Sequence, residues 1–137
     1  MERVFCDTSF LVAYYNRRDE NHAHAHRWIR SIQKSKTEFL ISDYIFDEVL
    51  TVLLSRSSKE LSIAVGKKIL ESRQITIIKI NEEVFFKTWD IYQKYTDKEW
   101  SFTDCSSYVL MKGLGIQKGA SFDPHFSQFG LEVLPGL

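Results

Sequence analysis

The stretch that decides the fold is "VFCDTSFLVAYYN", residues 4–16, where a short apolar run meets a carboxylate instead of a turn. Residues 3–6 have the length and apolar character of a buried strand, and residues 9–15 follow as a short helix. Asp7 therefore lies at the joint between these two elements. A charge at the end of a buried strand indicates that this end faces a polar site.

The same alternation of apolar strands and amphipathic helices continues along the chain. We predict further strands at 39–41, 75–80, 116–122 and 131–134 and helices at 21–34, 42–57, 58–73, 82–95 and 101–115. Strands separated by helices imply right-handed crossovers and a mostly parallel sheet that helices cover on both faces. The predicted fold is therefore α/β, a three-layer α/β/α sandwich with a mostly parallel five-stranded sheet, in one domain of residues 1–137.

Polar residues near the starts of three helices predict their caps. Thr8 or Ser9 is expected to cap the first helix, and Asp19 the second. Ser42 or Asp43 is expected to cap the third. Such side chains accept hydrogen bonds from N–H groups that the first turn of a helix leaves unpaired.

Composition and charge restrict the classes of function. The chain has 137 residues with 18 Lys plus Arg and 18 Asp plus Glu, so a nucleic acid must be held by a local patch or a bound metal. This excludes a nonspecific nucleic-acid coat protein. Cys6 and Cys105 lack zinc spacing and cannot form a disulfide framework, so we expect both in the core of a cytoplasmic protein. No stretch approaches the ~20 apolar residues of a membrane helix.

Four acidic residues are expected to meet at one edge of the sheet. Asp7 ends the first strand, Asp123 ends the fourth, and Asp104 lies in the first turn of the helix before that fourth strand. Glu48 borders the apolar face of the helix after the second strand, so its side chain can turn inward. In open α/β sheets the ligand site lies beyond the carboxyl ends of the strands, which makes this edge the candidate site.

Each of these carboxylates also has an ordinary structural explanation. Asp7 can cap a helix, and Asp104 can complement the helix macrodipole. Asp123 can start a turn with Pro124, and Glu48 can be solvated. Gathered together, however, four negative charges repel one another, and we find no Lys or Arg in these segments to offset them.

A divalent metal would offset this repulsion. Oxygen ligands without His or Cys at zinc spacing favour Mg²⁺ or Mn²⁺, which also take phosphate oxygens as ligands. The expected substrate is therefore a phosphodiester or a phosphate ester. One or two such ions would lower the pKa of a bound water and stabilise the departing oxygen.

Four segments carry a family resemblance across most of the chain. They resemble, in chain order, the successive motifs of the PIN-domain nucleases, in particular the ribonuclease toxins of VapBC-type toxin–antitoxin pairs. The segments are "VFCDTSFLVAYYN", "DEVL", "SFTDCSSYVLMKGLGI" and "SFDPHFSQFGLEVLP". The resemblance implies a PIN-like fold and a metal-dependent endoribonuclease acting on RNA. It places Asp7, Glu48, Asp104 and Asp123 at the family's acidic positions. It also implies a small antitoxin partner and a homodimer.

Hydroxyl side chains lie next to the acidic motifs. The comparison with the family suggests Thr8, Ser9, Ser101 and Thr103 as groups that orient carboxylates or reach a phosphate. A role as helix caps explains the same residues equally well.

Basic residues cluster around the second helix. Arg17, Arg18, Arg27 and Arg30, with Lys34, can form a rim that binds RNA phosphates. A solvated charged surface accounts for them equally well.

Histidines are concentrated in the second helix. His22 and His26 stand four residues apart and could share a metal, although a polar helix face with His24 is the simpler interpretation. His125 is expected to be an exposed loop residue.

Aromatic residues are abundant between positions 84 and 102. Phe85 is expected to face inward, and Trp100 can either stack on a base or pack in the core. The surplus also suits a homodimer contact or an antitoxin groove.

Other Mg²⁺ enzymes on similar sheets fit less well. A haloacid-dehalogenase-like phosphatase needs a second Asp where this chain has Ser9, and a phospho-receiver domain needs an Asp where it has Asn81. A noncatalytic PIN-fold module that binds RNA or protein, or a stand-alone RNA-processing nuclease, stays open as an alternative.

Overall fold

A five-stranded parallel sheet forms the centre of the protein in the computed structural model, which describes residues 1–136. The strands are Glu2–Cys6 (β1), Thr37–Ser42 (β2), Ile75–Ile78 (β3), Lys118–Ala120 (β4) and Glu132–Leu134 (β5). They lie in the order β3-β2-β1-β4-β5, and every neighbouring pair is parallel. The predicted α/β class and the five-stranded sheet are confirmed.

Six α-helices accompany the sheet in this part of the chain. They are Thr8–Tyr15 (α1), His22–Ser31 (α2), Asp43–Arg56 (α3), Lys59–Glu71 (α4), Glu82–Lys94 (α5) and Phe102–Leu114 (α6). A short 3-10 turn, Phe126–Phe129, precedes β5. Helix α1 packs on α2 and α3, α3 packs on α4, and α5 packs on α6. None of the helices within residues 1–136 is long and apolar enough to cross a membrane.

The central strand β1 is buried at the end that leads to the candidate site. Val4, Phe5 and Cys6 are all buried, and β1 pairs with β2 on one side and β4 on the other. Strand β4 is shorter than the predicted 116–122. It ends at Ala120 because the next residues turn away, so that the N–H of Phe122 donates to Ser9 Oγ at 2.9 Å.

Two of the three predicted caps are wrong. The chain passes directly from β1 into α1, so Asp7 occupies the N-cap position while Thr8 and Ser9 are already helical. The N-cap of α2 is Asn21, and Asp19 instead accepts a hydrogen bond from the N–H of Asn21 at 2.8 Å.

The third cap is confirmed. Ser42 Oγ accepts from the N–H of Ile45 at 3.0 Å. Asp43, the alternative, accepts from the N–H of Ile80 at 2.9 Å. That bond holds the backbone after β3 against α3, and β3 ends at Ile78 rather than at the predicted residue 80.

The histidines of α2 stabilise the C-terminal end of α1. His22 Nδ1 lies 2.8 Å from the carbonyl oxygen of Ala13, and His26 Nε2 lies 2.8 Å from that of Tyr14. A carbonyl only accepts, so each of these nitrogens carries the proton. The two side chains thus donate hydrogen bonds to carbonyl groups that lack intrahelical partners at the C-terminal end of α1.

The aromatic residues near α5 fall into two groups. Phe85 is 40% exposed, so its predicted inward position is wrong, and Phe86, Trp89 and Tyr92 are exposed beside it. Trp100 is only 7% exposed, and its indole N–H makes a hydrogen bond within the fold. Core packing of Trp100 is confirmed, while α5 presents an apolar surface.

Substituting Gly119 with alanine is expected to destabilise the protein. A Cβ atom at this position in β4 would overlap the ring of Phe126, which is buried. Overpacking a core costs about 1–3 kcal/mol, and the lower chain entropy of alanine offsets part of this. We expect urea denaturation to show an unfolding free energy lower by about 1–2 kcal/mol.

Gly113→Ala is the matched control for this prediction. A Cβ there meets nothing within 4 Å, and alanine favours the helical conformation of α6. The control should be neutral or stabilising. Equal stability of Gly119→Ala and the wild type would contradict the packing described for β4.

Candidate active site

A cavity of about 330 Å³ opens beyond the carboxyl ends of β1 and β4. Its wall is strongly acidic and includes all four of the carboxylates that the sequence singled out. The acidic residues in the wall are Asp7, Asp19, Glu20, Glu48, Asp104 and Asp123. One basic residue, Arg56, is also part of the wall.

Asp7 is the most deeply placed carboxylate. Its side chain is 4% exposed, and its Oδ2 accepts hydrogen bonds from Ser121 Oγ at 2.8 Å and from Ser9 Oγ at 3.0 Å. The pKa of Asp7 is raised to about 6, mainly by burial and also by the charges of Asp104 and Asp123, while the hydrogen bonds from Ser121 and Ser9 act in the opposite direction. The site therefore holds a carboxylate that is costly to ionise unless a cation is present.

Asp104 is oriented by the start of α6. Ser101 Oγ accepts from the N–H of Asp104 at 3.0 Å, and Asp104 Oδ2 accepts from the N–H of Ser101 at 3.0 Å. This reciprocal capping box fixes the side chain where the helix begins. Burial raises the pKa of Asp104, and the nearby charge of Asp123 raises it as well.

Asp123 lies in a tight loop after β4. Its N–H donates to Ser121 Oγ at 3.0 Å, and its Oδ1 accepts from the N–H of His125 at 2.9 Å. The imidazole of His125 approaches the same oxygen, with Nδ1 at 3.5 Å. Ser121 therefore connects Asp123 to Asp7, since its hydroxyl contacts both.

Glu48 approaches the other three carboxylates from α3. It follows buried Ile45 by three residues, which turns its side chain toward the cavity. Burial raises the pKa of Glu48, and the charges of Asp104 and Asp123 raise it further. The four predicted carboxylates thus line one cavity, and the interactions among them are repulsive.

The predicted hydroxyl residues have different surroundings. Ser9 contacts Asp7, and Ser101 caps α6. Thr8 lines the cavity close to Glu48 and lowers the pKa of that carboxyl, although its buried Oγ1 makes no hydrogen bond of good geometry within residues 1–136. Thr103 is not part of the cavity wall.

The predicted basic rim lies outside the cavity. The residues concerned are all exposed and do not line the wall. They are Arg17, Arg18, Arg27 and Arg30. The expectation that no basic residue accompanies the acidic motifs is wrong, because Arg56 lines the cavity. It follows Glu48 by eight residues on α3, about two helical turns, and this spacing is the signal that could have revealed it.

Two further residues of the site were not expected from the sequence. Ser121 directly follows β4, as Asp7 directly follows β1, and this equivalence could have indicated it. His125, predicted to be an exposed loop residue, lies in the turn after Asp123 with its side chain 39% exposed, and this side chain also faces Asp123. Its ligand atom and those of Asp104 and Asp123 lie within 4.8 Å of one another.

Comparison with known proteins assigns the family. Residues 4–131 match the family model described as PIN domain. The chain belongs to the PIN domain family. Its PIN domain is 29% identical over 134 residues to the 23S rRNA-specific endonuclease VapC20 of Mycobacterium tuberculosis, covering 96% of this chain and 98% of that protein.

Solved structures of other proteins have the same architecture. The crystal structure of M. tuberculosis VapC20, described as a Sarcin-Ricin loop cleaving toxin, superposes with a TM-score of 0.84 at 28% identity, covering 93% of this chain and 95% of that one. VapBC2 of Rickettsia felis, bound to a promoter DNA fragment, gives 0.69 at 12% identity, with 96% of each chain covered. FitAcB of Neisseria gonorrhoeae gives 0.65 at 16% identity, with 95% of each chain covered. The last two comparisons support the fold alone.

The donor set of this PIN domain suits a divalent metal. Carboxylate oxygens from separate segments face one cavity, and burial together with their mutual repulsion raises the pKa of Asp7, Asp104 and Glu48. A divalent cation would reverse these shifts by favouring the ionised form.

Proposed function

We propose that this protein is a Mg²⁺- or Mn²⁺-dependent endoribonuclease that hydrolyses RNA phosphodiester bonds as the toxin of a toxin–antitoxin pair. The observation that carries the proposal is the convergence of Asp7, Glu48, Asp104 and Asp123 on one cavity beyond the strand ends. The similarity to VapC20, a 23S rRNA-specific endonuclease, supports RNA as the substrate.

The carboxylates are the catalytic groups in this proposal because they hold the metal. Asp7, Asp104 and Asp123 would bind it, with Glu48 acting directly or through water. A bound ion of this kind supplies an activated water and stabilises the departing oxygen. The charge of the ion also offsets the repulsion that the carboxylates otherwise exert on one another.

The hydroxyl residues keep the ligands in position. The hydroxyls of Ser9 and Ser121 donate to one oxygen of Asp7. Ser101 holds Asp104 through its backbone N–H, which donates to Asp104 Oδ2, and through its hydroxyl, which accepts from the N–H of Asp104. Such outer contacts fix the direction of a ligand, and their loss commonly weakens metal binding or activity by about 10–100-fold. Thr8 and Thr103 have weaker support for this role. The Thr8 side chain lowers the pKa of Glu48 but makes no hydrogen bond of good geometry within residues 1–136, and Thr103 is not part of the cavity wall.

RNA binding in this proposal depends on local charge. The net charge of the chain is zero, so phosphate contacts must come from particular side chains. The residues proposed to form this rim are Arg17, Arg18, Arg27 and Arg30. Arg56, in the cavity wall, can reach a phosphate next to the cleaved bond.

A small antitoxin and a second copy of the chain are the proposed protein partners. VapBC2 and FitAcB have the same fold as this chain. The exposed apolar face of α5, which includes Phe86 and Trp89, suits burial against another chain. Like its proposed RNA substrate, the protein would act in the cytoplasm.

The direct test is cleavage of purified RNA with defined metals. We expect wild-type protein to cut RNA internally with Mg²⁺ or Mn²⁺ and to lose this activity in EDTA. Asp104→Asn should lower the rate by at least about a hundredfold, because it removes a charged metal ligand. Asp90→Asn, an exposed aspartate of α5, is the matched control and should retain the rate.

The noncatalytic alternative predicts a different result. A binding module would give equal cleavage in wild type, Asp104→Asn and the EDTA control, since any activity would come from a contaminant. That pattern would overturn the proposed function.

Ser121→Ala is expected to impair the site without unfolding the protein. The substitution removes the hydroxyl that contacts both Asp7 and the backbone of Asp123. We expect Mn²⁺ affinity, measured by calorimetry, to fall by about tenfold or more. Ser127→Ala removes a hydroxyl of the following 3-10 turn, which donates to the carbonyl oxygen of Pro124 and to no carboxylate within residues 1–136, and it should have no effect. Unchanged affinity in Ser121→Ala would contradict the positioning role.

A further inference from the structure

One histidine lies beside the acidic cavity in addition to the four carboxylates. His125 Nδ1 lies 3.5 Å from Asp123 Oδ1. Ligand atoms of Asp104, Asp123 and His125 lie within 4.8 Å of one another, and no other group of three has this property in the described part of the chain. Two carboxylate oxygens and an imidazole nitrogen at this separation can bind one ion.

The loop that carries His125 is fixed at both ends. The N–H of His125 donates to Asp123 Oδ1 at 2.9 Å, and the N–H of Asp123 donates to Ser121 Oγ at 3.0 Å. On the other side, Phe126 is buried against Gly119. The imidazole is therefore held near Asp123 before any ion binds, which reduces the ordering cost of using it as a ligand.

We propose that His125 is a direct ligand of the catalytic metal and that it makes this site prefer Mn²⁺ to Mg²⁺. The inference rests on the proposed function, because it adds a ligand to the same metal. Mg²⁺ selects oxygen ligands and keeps several waters. A nitrogen ligand instead favours first-row transition metals, so the imidazole raises affinity for Mn²⁺ relative to Mg²⁺.

A simple ion pair is the alternative role for His125. A protonated imidazole acts on both Asp123 and Asp104, but it supplies one positive charge against two carboxylates, whereas a divalent ion supplies two. Coordination accounts for both carboxylates together. The 39% exposure of the His125 side chain also leaves room for waters to complete the coordination shell.

Pulsed electron paramagnetic resonance on Mn²⁺-loaded wild-type protein tests the ligand directly. The full chain is prepared with ¹⁴N- or ¹⁵N-labelled histidine and loaded with MnCl₂ alone. We expect a modulation from a directly bound nitrogen that changes with the isotope. Its absence in wild-type protein would overturn the inference.

Two variants assign the signal to one side chain. His125→Asn should abolish the nitrogen modulation and raise the Mn²⁺ Kd by about tenfold or more, while the Mg²⁺ Kd changes by less than about threefold. His24→Asn is the matched control, since His24 lies next to Phe122, which lines the cavity. It should leave the signal and both Kd values unchanged.

The remaining outcomes separate this inference from the proposed function. A nitrogen signal that persists in His125→Asn, or an equal loss of Mn²⁺ and Mg²⁺ affinity, overturns the role of His125. Metal-dependent RNA cleavage by the wild type would show that the proposed function still holds. If wild-type protein neither binds Mn²⁺ nor cleaves RNA, both proposals fail.

Discussion

Replacing Asp7 with asparagine will lower the rate of metal-dependent RNA cleavage by about a thousandfold or more, a barrier increase of about 4 kcal/mol. The substituted side chain would keep the size of the original and an oxygen that can accept from Ser9 and Ser121. It would lose the negative charge with which the most buried carboxylate of the site attracts a divalent cation. The measurement is single-turnover cleavage of a labelled RNA at saturating Mg²⁺ or Mn²⁺.

Asp19→Asn is the control for this loss of activity. Asp19 lines the same cavity, but it belongs to the loop before α2, where it bonds to the backbone of Asn21. Its substitution should change the rate by less than about threefold. If Asp7→Asn retained a tenth of the wild-type rate, a role for Asp7 in holding the metal would be untenable.

The same Asp7→Asn substitution is expected to stabilise the metal-free protein. The folded-state pKa of Asp7 is about 6, above the ordinary value of 3.8, because the side chain is buried among other acids. A carboxyl whose pKa is raised in the folded state contributes its full stability at a pH below its unfolded-state pKa. That contribution is lost as the pH rises through about 6. A rise of about two pKa units corresponds to between about 2 and 3 kcal/mol at pH 7.

Urea denaturation in EDTA at several pH values checks this prediction. The variant should be more stable than wild type at pH 7, and the difference should shrink as the pH falls below about 6. Asp90→Asn, an exposed change, should show no such dependence. Saturating Mn²⁺ should reverse the order, because the cation stabilises only a site that still has its charged ligand. A stability difference independent of pH would show that ionisation of Asp7 is not its cause.

The two predictions for Asp7 describe one physical situation. A carboxylate that we propose as a metal ligand is held where, without metal, its charge opposes folding. Removing the charge favours the folded chain and disables the site, which is the compromise expected where a site is built for chemistry rather than for stability.

Much of the fold was predictable because its signals are local. Strand β1, the joint at Asp7 and the helix that follows can be read from thirteen adjacent letters, residues 4–16. The parallel sheet follows from the alternation of strands and helices. The exposed position of Phe85 was not predictable, because periodicity identifies an apolar residue without showing whether another element covers it.

The carboxylates of the candidate site were predictable from the sequence, but the contacts that orient them were not. Ser121 reaches Asp7 across a separation of 114 residues, and that contact depends on where β4 ends. The approach of His125 to the site was not predictable either, because the direction of its side chain is set by the short turn that begins at Asp123. Side-chain hydrogen bonds in loops depend on local backbone geometry that neither composition nor spacing specifies.

The unequal lengths of the strands imply that the two sides of the site differ in local stability. Asp7 extends from the buried, five-residue β1, which has a neighbour on each side, whereas Asp123 follows β4, which has only three residues and lies next to the three-residue edge strand β5. Amide hydrogen exchange should therefore be slowest in β1 and faster in the C-terminal strands. Brief opening of that C-terminal segment would carry Asp123 away from Asp7 and switch off the nuclease while the rest of the molecule stays folded.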